Sequence, residues 1–138
     1  MGPLRKSHKP RQASLSLELV IVLPILLIVL LAVVQFATYL MATQAIQGAA
    51  MLGTREATLP GATPARVKGA VLGALSGWSF VSAVRDDDIQ IQDLPAEGRV
   101  SVTVTVDADK AALNSLLSLP GFSLAGKKIR GQYIMRKE

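Results

Sequence analysis

The 138-residue sequence predicts an α+β protein: a long N-terminal membrane-spanning helix that continues into a small exported domain, where a second helix packs on a three- to four-stranded antiparallel sheet. Three observations lead there. Residues 19–34, LVIVLPILLIVLLAVV, are unbroken apolar sequence, and residues 35–42 extend the run with only weak polarity. Two segments further on, Asp88-Ile89-Gln90-Ile91-Gln92 and Arg99-Val100-Ser101-Val102-Thr103-Val104-Thr105-Val106, alternate apolar and polar residues strictly, the pattern of half-buried strands. Charge is also partitioned: residues 19–54 contain no Asp, Glu, Lys or Arg, although charged residues make up 18% of the chain.

The first element is a basic tail. Arg5, Lys6, Lys9 and Arg11 face a single acid, Glu18, before the apolar run begins. The run from 19 to 40 is 22 residues, which at about 1.5 Å rise each gives roughly 33 Å, enough for the hydrocarbon core of a bilayer. Pro24 lies inside it, removes one backbone hydrogen bond and predicts a kink, which membrane helices tolerate. Basic residues flanking a span stay cytoplasmic, so the N-terminus is expected inside and residues after about 42 outside, with the lipid bilayer as first partner. A cleaved secretory signal has the same order of basic then apolar segments, but its apolar core is usually only about 7–15 residues.

Beyond the bilayer, alanine-rich and proline-free sequence carries the helix to about Ala57, where Leu59-Pro60-Gly61 stops it. Thr63-Pro64 starts the next helix, with threonine as N-cap and proline in the first turn. Val67, Val71 and Leu75 form its apolar stripe, able to cover the sheet. Gly69 and Gly73 weaken it by about 1 kcal/mol each, and close backbone approach is the expected compensation. The strands at 88–92 and 99–106 make a hairpin through Leu94-Pro95-Ala96-Glu97-Gly98. Residues 110–118 read as a short helix or turn, and 129–136 as a third strand.

Chemical motifs are sparse. With no cysteine there is no disulfide framework, thiolate metal site or cysteine nucleophile, and the only histidine, His8, lies in the basic tail. Gly73-Ala74-Leu75-Ser76-Gly77 is not a nucleophile elbow, because its serine stands one place too late. No phosphate-binding or dinucleotide fingerprint is present, so no cofactor and no enzyme activity are expected. Asp86-Asp87-Asp88 lacks the alternate spacing and glycine of a calcium loop and reads as a solvated turn before a strand. Asp107 and Asp109 read as a strand end and the cap of the following helix. Much of the basic excess sits in the tail, which argues against nucleic acid as a partner. Lys127, Lys128, Arg130, Arg136 and Lys137 read as a solvated edge strand that resists sheet-to-sheet pairing. Ala42, Ala45, Gly48, Ala49 and Gly53 suit close packing, either against neighbouring helices or against the domain's own sheet.

The junction Arg11-Gln12-Ala13-Ser14-Leu15-Ser16-Leu17-Glu18, followed by Leu19-Val20-Ile21-Val22-Leu23-Pro24, resembles the TadE-like family, minor pilins or pseudopilins of the bacterial tight-adherence pilus. That family combines a basic leader, a small residue at the cleavage point, a glutamate at the fifth mature position and a proline six residues beyond it. Ala13, Ser14, Glu18 and Pro24 occupy those positions, with Ala13 where glycine is usual and Leu19 where an aromatic residue often stands. Residues 44–63 and the closing 133–138 are similar to the family's helix end, turn and terminal strand.

The resemblance implies three segments: a leader at 1–13 removed after Ala13, a long helix at 14–57 spanning the membrane at about 19–40, and an exported domain at 58–138. It implies a minor pilin-like subunit in the bacterial inner membrane, or in the pilus, whose partners are other pilin or pseudopilin subunits, a prepilin peptidase and the pilus assembly platform. Cleavage would place the new amino group of Ser14 one helical turn from Glu18, and a neighbouring subunit's amino terminus could also meet it. The alternative is an uncleaved single-pass anchor that presents a periplasmic binding or scaffold domain.

Overall fold

The computed structural model describes residues 11–94, 97–111 and 126–137, with side chains from residue 18 onward. Its element order is helix α1 (Arg11–Ala57), helix α2 (Pro64–Leu75), 3-10 turns at Val81–Ala83 and Asp86–Asp88, strand β1 (Ile89–Leu94), strand β2 (Arg99–Asp107), the single-turn helix α3 (Ala108–Ala111) and strand β3 (Lys128–Arg136). Of the expected helix or turn at 110–118 only residues 110 and 111 are described, and they end α3, which starts at Ala108. Asp107 ends β2 as expected, whereas Asp109 lies within the first turn of α3 rather than capping it. Residues 112–118 lie outside the described residues.

Helix α1 is 47 residues long and contains Pro24. Where it ends, the amides of Thr58 and Leu59 donate to the carbonyls of Arg55 and Glu56, and Gly61 adopts φ +76° to turn the chain. At the start of α2, Thr63 caps as its sequence predicts: its hydroxyl accepts from the Arg66 amide at 3.4 Å, and Pro64 needs no partner for an amide it lacks. Gly69 and Gly73 have no neighbour within 4 Å of a built Cβ, so the expected close approach to them is absent. The close approaches fall at Gly53 and Gly131 instead.

The sheet is a three-stranded antiparallel meander in the order β1-β2-β3. Ile89 pairs with Val104, which pairs with Gly131, and the same register carries Ile91, Val102 and Tyr133 along the next row of the inner face. Most of the cover for this face comes from α1, which packs extensively on β2 and β3. Helix α2 lies chiefly against α1 and adds Val67, Val71 and Leu75 to one continuous core with Ala42, Ile46, Ala49, Ala50 and the inner valines of β2. The outer face is polar, yet Ser101 and Thr103 are buried there because the longer side chains of the two outer strands flank them. Gln132 Nε2 donates to Ser101 Oγ at 3.1 Å.

Candidate assembly surface on the long helix

Helix α1 has two chemically different halves. From Leu19 to Leu30 every side chain is apolar and exposed, Leu19 at 65% and Leu26 at 65%, and the stretch is long and apolar enough to cross a membrane. Contact with the folded domain begins at Tyr39, which is partly buried, and is complete at Ala42 and Ile46, both at 0% exposure. The part of α1 free of the folded domain therefore ends near Tyr39. Residues 19–38 span about 30 Å at 1.5 Å per residue, the thickness of a hydrocarbon core, and Glu18 stands directly before them.

The residues singled out by sequence all fall on this helix. Ala13 and Ser14 lie in its first turns and Pro24 lies within it. Glu18 is exposed, and a spacing of four puts it on the same side of the helix as Ser14. Pro24 is exposed as well, so neither it nor Glu18 belongs to the domain's core. Of the small residues beyond Leu40, most serve the domain itself, with Ala45 partly buried against its core. Ala42, Ala49 and Gly53 are buried in the domain's own core, whereas Gly48 is exposed and a Cβ there would meet nothing within 4 Å.

Three residues lock α1 to the domain: Gly53, one of the small residues expected to pack closely, and Gly131 and Thr54, which the sequence did not mark for this role. A Cβ on Gly53 would lie 2.5 Å from Val71 Cγ2, so the glycine lets α2 and the sheet close on the helix. A Cβ on Gly131 would lie 2.8 Å from the Ile46 carbonyl oxygen, so β3 crosses the helix with backbone against backbone. An isolated glycine inside an alternating strand was the available signal for that crossing. Thr54 is fully buried, and its hydroxyl donates to Ala50 O at 2.7 Å or Tyr133 O at 3.3 Å, joining helix to strand.

Elsewhere the surface is ordinary. An open cleft of about 500 Å³ lies between the α2 start and β1, floored by Val67, Ile89 and Ile91 and rimmed by Lys68, Asp93 and Lys137. The rim is neutralised by the Lys137–Asp93 pair at 3.0 Å. Ser76 Oγ donates to Gly73 O at 2.8 Å, a helix-ending role for the serine of the Gly73–Gly77 segment. Asp86 pairs with Lys68 at 3.3 Å, and Asp88 Oδ2 accepts from the Arg85 amide at 2.9 Å. Among the described residues no three acidic or histidine side chains converge in a metal-binding group.

Comparison with curated proteins and with solved structures returned no match. A family model does match, and it falls on the bare half of α1 together with the segment that docks on the sheet. Residues 13–55 match the family model described as TadE-like protein, so over its long N-terminal helix the chain is similar to that family.

Proposed function

We propose that the protein is a minor pilin-like structural subunit of a tight-adherence pilus, inserted with its tail in the cytoplasm and trimmed between Ala13 and Ser14. The observation that carries this reading is that the family match, residues 13–55, covers both the exposed apolar helix and the segment that holds the exported domain. A subunit of this kind needs a rod able to leave lipid for protein neighbours, with a domain fixed rigidly to it. Its role is structural, with no reaction assigned to it.

Glu18 has a defined task in this scheme. At the boundary of the bilayer its carboxylate can be hydrated, and there it costs little. Moved into a bundle of apolar helices it loses that water, and an unpaired buried charge is strongly unfavourable. The amino group of Ser14 that leader cleavage would create, from the same or a neighbouring chain, supplies the opposite charge. A subunit would thus be tolerated in the membrane and favoured in an assembly only after processing.

Mass spectrometry of the N-terminus, made on protein recovered from assembled material, tests this directly. Ser14 as first residue is the expected result. An intact leader in functional assembled protein overturns it and supports the single-pass anchor instead.

A further inference from the structure

Among the described residues the exported sheet has two unpaired edges, β1 and β3, and they carry opposite charge at the same end. Row alignment shows this: Ile89 pairs with Val104 and Val104 with Gly131, so the next row outward runs from Asp88, directly before β1, through Thr105 to Arg130. Val106 and Ile129 form the row after that, and Asp107 and Lys128 the one beyond, on the same face as Thr105 and Arg130. The acidic turn and the basic strand start therefore flank the same end of the sheet, separated by two interstrand spacings, about 10 Å.

That spacing keeps the two groups from meeting within one chain. On the β1 side Asp86 is held by Lys68 and one Asp88 oxygen by the Arg85 amide, while Asp87 is exposed and has no ion pair among the described residues. On the β3 side Lys127, Lys128 and Arg130 are exposed and likewise unpaired among the described residues. Asp107, the acid nearest to them, is taken by Lys110 at 3.1 Å.

Charged edges resist like edges: β1 against β1 would bring aspartates together, and β3 against β3 would bring cations together. Unlike edges attract. We infer that the exported domains of two copies of this chain meet side by side, the Asp87 edge of one against the Lys128–Arg130 edge of the next. This rests on the assembly reading given above and adds the surface through which the domains would touch. The contact is made by side chains, because merging the sheets would twist the neighbour by roughly 60–75° over three strands and splay the α1 helices. Side-by-side docking at equal height leaves those helices parallel, as a shared bilayer requires. The contact uses two different surfaces, so it repeats in an open row instead of closing as a two-fold dimer.

The absence of cysteine from the sequence makes the test clean. In membranes holding the full chain, Gln90→Cys copies mixed with Gln132→Cys copies are expected to cross-link through a short bis-maleimide, whereas neither population alone should do so. Asp87→Lys or Arg130→Glu alone should weaken cross-linking about two- to fivefold, the range for one exposed ion pair. Both substitutions in the same chain should restore it. Cross-linking within a single population, or no rescue by the double reversal, overturns the inference. The mature N-terminus is read separately, so an intact leader with intact cross-linking sinks the pilin reading and leaves this contact standing.

Discussion

At the scale of single residues, the acid directly before the apolar run carries the most consequence. Glu18 is the only charged residue between Arg11 and Arg55, and its side chain is exposed, outside the domain's core. A residue needed only for folding would be held by the fold, and a residue needed for insertion would not be an acid. Glu18→Ala is accordingly expected to leave membrane insertion and the folded domain unchanged, judged by membrane fractionation and protease resistance, while lowering the yield of assembled filaments. Normal filaments from this variant would remove the role assigned to Glu18. The residue was legible from sequence because an acid beside an apolar run is costly wherever it stands. Thr54 was not, since its meaning depends on the Tyr133 carbonyl, 79 positions away.

At the scale of elements, the crossing of α1 and β3 sets the geometry of the folded domain. Gly131 and Gly48 provide contrasting tests, being glycines on the two partners of that region. At Gly131 an added methyl would sit 2.8 Å from the Ile46 carbonyl oxygen and 2.9 Å from Ile46 Cγ2, so strand or helix must shift. Gly131→Ala should destabilise the detergent-solubilised protein by about 1–3 kcal/mol, the usual cost of overpacking. Gly48→Ala meets nothing and removes the helix penalty of glycine, so it should stabilise by up to about 1 kcal/mol. Thermal unfolding followed by circular dichroism compares the two, and equal shifts would refute the packing account. Gly69 and Gly73 show the limit of sequence reasoning at this scale. A helical glycine weakens its helix whatever its surroundings, but whether a neighbour needs the space depends on which face turns inward, and both of these face away.

At the scale of the whole molecule, three differently charged sections produce one topology. The basic tail is expected to hold the N-terminus on the cytoplasmic side, the uncharged helix to cross, and a nearly balanced domain to follow it out. Replacing Arg5, Lys6, Lys9 and Arg11 together by Gln should therefore scramble orientation. Protease added outside spheroplasts would then spare a fraction of the domain that it digests in the wild type. Complete digestion in both would show that the tail does not set direction. The long α1 also makes domain and anchor one mechanical body, because Ala42, Ile46, Ala49, Ala50 and Ala57 belong to the domain's core as well as to the helix.

The sequence by itself determined the elements and their order, because each rests on local physics: an apolar run long enough for a bilayer, Thr63-Pro64 at a helix start, and period-two alternation in β1 and β2. It also marked Glu18 and the TadE-like junction, since their spacing lies along one helix. Only the tertiary structure decided which helix covers the sheet, why Gly53 and Gly131 are glycines, and that Asp87 and Arg130 flank the same end of the domain. Those relations join residues tens of positions apart through packing and strand register, and no local pattern in a chain encodes the distance between them.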